Sequence, residues 1–385
     1  MSKGGFTFKK GGGDMKIKAA VLREFNKPLT IETLELDDPK EGEVLVKVIA
    51  CGFCHSDLHV MLGELQVPLP IVLGHEAAGI VEKVGPGVTR VKPGDHVVLT
   101  WMVPCGKCFQ CLNGRPNLCE GHFDAFVGGT LLDGTSRLRD EKGKEVKQAF
   151  FVSGFANYTV VPEYGAHPIR KDVPFEYACL VGCCIPTGAG AAMNVCNIKP
   201  GTSVVVFGCG GVGLNAIRGA ALRQANPLIA VDLEGDKEEI AREFGATHFI
   251  NSSKEDPVEK IKEITGGYGA EYIIEAIGDP GAIVQAYWSL RLAGRIILIG
   301  ITPQGQTTNI DAFLIPFHEK AIIGTLYGGI KPTFDIPYFV DLIASGDLKT
   351  EKLVTKKIKL EDVNNAGDMM IKRKILGRWV MMMEH

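Results

Sequence analysis

The chain has no run of roughly 18 uninterrupted apolar residues, the length that a membrane-spanning helix requires. It also has no block of lysines and arginines. Its formal charge of −3 therefore gives no electrostatic case for nucleic acid or an anionic membrane as partner. The N-terminus is rich in glycine and lysine and lacks the apolar stretch of a secretory leader. These absences leave small-molecule chemistry in a cytoplasmic setting as the expectation.

Cysteine, in contrast, is abundant, with eleven in 385 residues. In a short secreted chain that count would indicate disulfides; in a long chain without a leader we expect reduced thiols and metal ligands. The length exceeds what one hydrophobic core usually supports, so about two domains are expected. Residues 1–14 carry five glycines among lysines and cannot bury a core, which reads as a flexible tail. From Ile17 to His96, short β-rich runs such as 43–50 and 80–84 are broken by turns at Gly85-Pro86-Gly87 and Lys92-Pro93-Gly94-Asp95, implying a β-rich, partly barrel-like domain. From about Thr187 to Leu326, apolar strands alternate with helical segments: 203–207 then 214–224, 228–231 then 237–244, 272–276 then 283–292, and 295–299. That alternation predicts βαβ units around a doubly wound parallel sheet. The segment 327–385 lacks this pattern and is expected to rejoin the first domain, giving a division into 15–186 plus 327–385 and 187–326.

The start of the second region carries a dinucleotide-binding turn. Residues 204–207 form a strand that runs into Gly208-Cys209-Gly210-Gly211-Val212-Gly213 and then a helix. Glycines at these positions allow a tight turn and close approach of a pyrophosphate to the helix N-terminus. Asp232 lies 19 residues beyond Gly213, at the end of the next strand, where its carboxylate can hold both ribose hydroxyls and repel a 2′-phosphate. NAD is therefore expected rather than NADP.

Two sets of metal-binding residues stand out. Cys105, Cys108, Cys111 and Cys119 place four thiols within fifteen residues, which suits tetrahedral zinc with no open position, a structural site. A ferredoxin-like cluster is the rival, but its usual last spacing is x3 rather than the x7 seen here. Cys54, His75 and a cysteine of the Cys183-Cys184 pair form a second set: one His and two Cys leave a fourth position open, as in catalytic zinc. Cys51, although spaced Cys-x2-Cys with Cys54, reads as a packed thiol. The residues alone do not choose between Cys183 and Cys184.

The chain resembles the zinc-dependent medium-chain alcohol dehydrogenase family over residues 15–385. The resemblance is carried by Cys54-His-Ser-Asp57, Gly74-His-Glu76, residues 79–85, Gly94-Asp95, the cysteine lobe, Gly182-Cys-Cys-Ile-Pro-Thr-Gly188 and Gly208–Gly213. It implies a GroES-like catalytic domain with a structural zinc lobe beside a Rossmann NAD-binding domain, and two zinc ions per subunit. It selects Cys54, His75 and Cys183 as catalytic zinc ligands, with Glu76 behind them as an occasional ligand or as a carboxylate that supports the site without ligating. It assigns Ser56 and His59 to a proton relay, and Asp57 to orienting His75. His55, Thr187, Val212, Lys237, Ile301 and Arg378 fall where relatives contact the cofactor, while Trp101, Phe150, Ile301 and Leu326 are candidates for the substrate pocket. An apolar, aromatic pocket suits primary aliphatic or benzylic alcohols. Alternatives are an S-(hydroxymethyl)glutathione dehydrogenase, a nicotinoprotein that retains NAD(H), and a non-catalytic redox sensor on the same fold. The glutathione branch carries an arginine four residues after the last lobe cysteine; this chain has Phe123 there, with Arg137 as a possible substitute. The family's oligomers are dimers or tetramers, and the long segment 121–151 points to a homodimer.

Overall fold

A computed structural model describes residues 15–385; the expected tail, 1–14, lies outside the described residues. The N-terminal region builds a closed barrel from the strands Met15–Leu22, Thr30–Leu36, Leu138–Arg139, Glu145–Gln148 and Ile71–Val72, taken in order around the ring. Beside it lies a seven-stranded sheet centred on Glu43–Gly52, which pairs antiparallel with Glu76–Val84, Tyr158–Pro162 and Arg378–Met382. Seven of the ten residues in Glu43–Gly52 are apolar, and the strand has two register shifts against Glu76–Val84, as a sheet that curls around a core requires. Gly79 and Gly85 are needed where this sheet is crossed: a Cβ at Gly79 would stand 2.1 Å from the Lys47 carbonyl, and one at Gly85 would stand 1.7 Å from that of Lys40.

The second sheet has six parallel strands in the spatial order His248–Asn251, Leu228–Asp232, Val204–Phe207, Ala270–Glu275, Leu290–Leu298, Ala321–Gly324. Numbered along the chain this is 3-2-1-4-5-6, the doubly wound Rossmann order. Its first two strands are buried at every position because helices cover both faces, which is why they read as unbroken apolar runs. The order reverses between Val204–Phe207 and Ala270–Glu275, and a crevice at the carboxyl ends of those strands is where such sheets take ligands. The helix expected over 283–292 instead spans Pro280–Trp288, and the strand expected at 295–299 begins at Leu290. Leu290 pairs with Ala270, so sheet pairing outweighs the local helical pattern.

The chain returns after the last parallel strand. Val354–Ile358 pairs with Arg378–Met382, which pairs with Glu43–Gly52, so the C-terminal segment completes the seven-stranded sheet. The two sheets are joined by the helical segment Phe175–Val195, whose helix Cys184–Gly190 packs on the helix Gly211–Leu222. Contact there is close enough to require glycine: a Cβ on Gly188 would lie 2.0 Å from the Val212 carbonyl. No single helix among the described residues is long and apolar enough to cross a membrane.

The core includes a buried imidazole. His167 is 1% exposed and pairs through Nε2 with the Thr100 hydroxyl at 3.1 Å. Burial, reinforced by the charge of Arg90, pushes its pKa down to about 3. The unfolded chain, with a histidine pKa near 6.5, therefore binds a proton that the folded chain refuses between those two values, so stability falls as pH drops below about 6.5. We predict that His167→Gln, which keeps a partner for Thr100, flattens this dependence. Between pH 6.5 and 5 the wild type should lose about 2 kcal/mol more than the variant, read from urea unfolding midpoints.

Candidate metal and dinucleotide site

Cys54 is the N-cap of the short helix His55–Met61, which places Asp57 in the first turn with no exposure to solvent. The Asp57 carboxylate collects three donors: Oδ2 accepts the Cys54 backbone N–H at 3.1 Å, and Oδ1 accepts the Gly74 N–H at 3.1 Å and His75 Nδ1–H at 3.0 Å. Donation from Nδ1 leaves Nε2 of His75 as a lone-pair ligand. Gly74 has φ +90°, and a Cβ there would stand 2.6 Å from the Phe155 backbone nitrogen, so only glycine allows the turn that aims His75 inward.

The ligand atoms of Cys54, His75 and Cys183 lie within 4.8 Å of one another, and all three residues are buried. Tetrahedral zinc with bonds of about 2.0–2.3 Å holds its ligand atoms roughly 3.3–3.8 Å apart, so two thiolates and an imidazole at this spacing fit that ion. A hydrogen bond from Cys183, and then the charges of Arg378 and His75, hold the Cys54 thiol well below the usual thiol range. Cys183 is the cysteine of its pair that reaches the cluster; Cys184 Sγ turns toward the Leu180 carbonyl and Cys51 Sγ toward the Gly52 carbonyl.

Glu76, expected as an occasional ligand, stands outside the three-residue cluster. Its carboxylate is fully buried and already engaged: Oε1 accepts the Cys184 N–H at 2.9 Å and Arg378 Nη2 at 2.9 Å, and Oε2 accepts Arg378 Nε at 3.1 Å. Gly52 makes the room, since a Cβ there would stand 2.2 Å from Glu76 Oε2. Arg378 reaches further. Its Nη2 lies 3.4 Å from Cys54 Sγ, and its guanidinium carbon is 3.2 Å from where a Cβ on Gly211 would be. One side chain thus spans the thiolate cluster and the glycine-rich turn.

That turn has the shape of a pyrophosphate cradle. Gly208 has φ +92°, and a Cβ on Gly213 would stand 1.7 Å from the Gly208 carbonyl, whereas a Cβ on Gly210 would meet nothing within 4 Å. The empty side of Gly210 is at the N-cap of the helix Gly211–Leu222, which has no side-chain cap, so its free N–H groups can receive an anion. Val212 follows in the first turn of that helix, half-buried. Asp232 is fixed at the end of the second parallel strand by the N–H groups of Cys209 at 2.7 Å and Glu234 at 3.1 Å, and it pairs with Lys237 at 3.1 Å.

The other expected residues are more scattered in their surroundings. Ser56 Oγ is 3.9 Å from Cys54 Sγ, and the rings of His55 and His59 are 4.9 Å apart. The Thr187 hydroxyl donates to the Cys183 carbonyl at 2.8 Å, which ties it to its own helix. Ile301 is 55% exposed, and its backbone crosses Gly278 closely. Phe150 packs edge-on against His75 at 5.4 Å, and Trp101 lies 4.6 Å from the Tyr327 ring. Leu326 is half-buried, with its carbonyl accepting from Asn117 at 2.9 Å. Phe126 joins the Trp101 and Phe150 rings into one aromatic cluster with His75. Neither Phe126 nor Tyr327 was singled out from the sequence, because nothing local distinguishes them from core aromatics. Arg137 is not free to bind an anionic substrate: it is fully buried, with its guanidinium paired to Glu43 and Asp133.

In the lobe, the sulfurs of Cys105, Cys108, Cys111 and Cys119 also lie within 4.8 Å of one another. Backbone N–H groups point at them, from Cys105 to Cys119 Sγ at 3.2 Å and from Cys108 to Cys105 Sγ at 3.3 Å. The Cys111 N–H, foremost, lowers the Cys108 pKa to about 6, whereas burial raises Cys111 to about 12 and raises Cys119 as well, so before any ion binds thiolate character is confined to part of the set. Four thiolates with N–H donors fit a closed zinc site.

Comparison with known proteins gives a consistent family. The model of the alcohol dehydrogenase GroES-like domain matches residues 40–171, and that of the zinc-binding dehydrogenase domain matches residues 211–345. An NDMA-dependent alcohol dehydrogenase of Amycolatopsis methanolica is 40% identical over 357 residues, covering 91% of this chain and 94% of that one. An S-(hydroxymethyl)glutathione dehydrogenase of Paracoccus denitrificans is 37% identical, covering 92% and 97%. The crystal structure of benzyl alcohol dehydrogenase from Acinetobacter calcoaceticus superposes with a TM-score of 0.90 at 36% identity, covering 96% of this chain and all of that one.

Because one carboxylate holds both Cys54 and His75, Asp57→Asn should weaken zinc binding at the Cys54–His75–Cys183 cluster about 10–100-fold. The four-cysteine lobe should keep its ion. Competition with a chromogenic chelator, which resolves two metal equivalents of unequal affinity, checks both halves of this prediction.

Proposed function

The chain belongs to the zinc-dependent medium-chain alcohol dehydrogenase family, and on that premise we propose that it interconverts primary aliphatic or benzylic alcohols and their aldehydes with NAD as hydride acceptor. The observation that carries this reading is the buried Cys54–His75–Cys183 cluster joined through Arg378 to the glycine-rich turn. Two zinc ions per subunit belong to the proposal, one at that cluster and one in the lobe. So do a homodimeric assembly and the division into a catalytic part, 15–186 with 327–385, and an NAD-binding part, 187–326.

Zinc held by Cys54, His75 and Cys183 would supply Lewis acidity, lowering the pKa of a bound hydroxyl toward the neutral range. The chain's own groups do the rest. Ser56, beside Cys54, takes the hydroxyl proton, and His59 passes it toward solvent. Asp57 keeps His75 in one tautomer. Asp232 and Lys237 hold the adenosine ribose, with the Asp232 charge excluding a 2′-phosphate, and Arg378 faces the pyrophosphate. His75, Phe150, Phe126, Trp101 and Tyr327 form an apolar wall that favours an uncharged substrate and keeps water out.

A second reading, that NAD(H) stays bound through the cycle and is reoxidised by an external acceptor, is favoured by the similarity to the NDMA-dependent enzyme. The glutathione-adduct reading has less support, because Phe123 is exposed where that branch carries arginine and Arg137 is buried in ion pairs. The test is NADH formation with a panel of primary, secondary and benzylic alcohols, run with NAD and with NADP and repeated with glutathione plus formaldehyde. We expect primary and benzylic alcohols to turn over with NAD alone, and Cys54→Ser to remove the activity. Turnover only when an artificial electron acceptor is added supports the bound-cofactor reading; a signal from the glutathione mixture alone overturns the alcohol reading.

A further inference from the structure

His59 sits in the last turn of the helix His55–Met61, and the chain beyond that helix folds back over it. Gly63 takes φ +71°, and the His59 carbonyl then accepts two N–H groups, from Glu64 at 2.9 Å and from Leu65 at 3.1 Å. This return turn brings the Glu64 carboxylate onto His59 Nδ1, where it forms both a hydrogen bond and an ion-pair contact. Among the described residues no lysine or arginine pairs with Glu64; its partner is the imidazole. The two groups differ in access to water, with the His59 side chain 14% exposed and that of Glu64 36%.

We propose that Glu64 is a positioning residue for the proton relay: its carboxylate accepts the Nδ1–H of His59 and so presents Nε2 as the proton acceptor. The inference rests on the reading of His59 as the end of that relay. A neutral imidazole carries one N–H and one lone pair, and which nitrogen holds which is set by the partner of the other. A carboxylate on Nδ1 fixes the Nδ1–H tautomer and stabilises the imidazolium that forms once Nε2 is protonated, the logic by which an aspartate orients histidine in hydrolase triads. No bond other than N–H and O–H is made or broken. The proton received at Nε2 gives an imidazolium paired with Glu64, and the same nitrogen releases it to water, which restores the Nδ1–H tautomer without protonating the carboxylate. The return turn itself is backbone-bonded at His59 and stands without the carboxylate, so the side chain can be changed while the helix end is kept.

The test uses the full-length, zinc-loaded chain and reads the ring directly. Nitrogen-15 spectra of the histidine side chains, with the His59 signals assigned by their loss in His59→Asn, should show the Nδ1–H tautomer at neutral pH in the wild type and in Glu64→Asp. In Glu64→Met, which replaces the carboxylate with a weakly accepting thioether, that preference should be lost while the thermal midpoint stays unchanged. In alcohol oxidation, Glu64→Met should lower kcat about tenfold with KM unaltered, Glu64→Asp should restore most of it, and Glu64→Met should add nothing in the His59→Asn background. An Nε2–H tautomer in the wild type, an unchanged tautomer in Glu64→Met, or losses that multiply between the two positions would overturn the proposal. The failures are separable. A normal ring signature without alcohol turnover in the wild type removes the catalytic reading and the relay with it, whereas intact turnover without the signature removes only the role of Glu64.

Discussion

Everything at the candidate metal centre depends on one buried carboxylate. Asp57 is unexposed and accepts from the Cys54 backbone, the Gly74 backbone and His75 Nδ1. Burying a charge without such partners is costly, and here three donors offset that cost while fixing two ligands that are 21 residues apart in the chain. The N-cap position of Cys54 and the left-handed turn at Gly74 are what allow one side chain to do this. Loss of the carboxylate would free the orientation of His75 and leave two buried N–H groups without acceptors.

A second buried pair links chemistry to cofactor. Glu76 and Arg378 come from strands that both border Glu43–Gly52, and the guanidinium extends from that pair to the thiolate of Cys54 and to the glycine turn. The arrangement needs bare backbone at three places: Gly52 beside Glu76, Gly211 beside Arg378, and Gly188 between two helices. The glycines of this chain are therefore not only turn formers; several mark where one element must approach another more closely than a Cβ allows. Pyrophosphate beside Gly211 would meet the same arginine that stabilises the Cys54 thiolate, so the electrostatics of the two sites are shared.

Much of this was legible in the sequence because it is encoded locally. The lobe cysteines fall within fifteen residues, so their turns and N–H···S bonds follow from short-range geometry. The glycine turn and Asp232 belong to one βαβ unit, where a strand, a turn and a helix leave few alternatives. The helix expected over 283–292 went wrong because Leu290 answers to the sheet through Ala270, a partner about twenty residues away. Glu76, expected behind the metal as an occasional ligand or a supporting carboxylate, has as its partner an arginine 302 positions later, and Arg137, weighed as an anion receptor, is buried against Glu43. No spacing rule announces contacts of that kind.

The sequence by itself determined the inventory of this protein: which side chains can ligate, where the backbone must turn, and which acid follows the glycine turn at ribose distance. These are properties of covalent geometry and of residues within a few turns of one another. Only the tertiary structure placed the Cys183 sulfur, which the family resemblance had selected, in the cluster and turned Cys184 away, engaged Glu76 with Arg378, assembled His75, Phe150, Phe126 and Trp101 into one aromatic cluster, and set Glu64 on His59. The physical reason is that side-chain direction at a site follows from packing between elements distant in sequence, or from the turn that closes a helix end, and a buried polar group takes whichever partner that packing delivers.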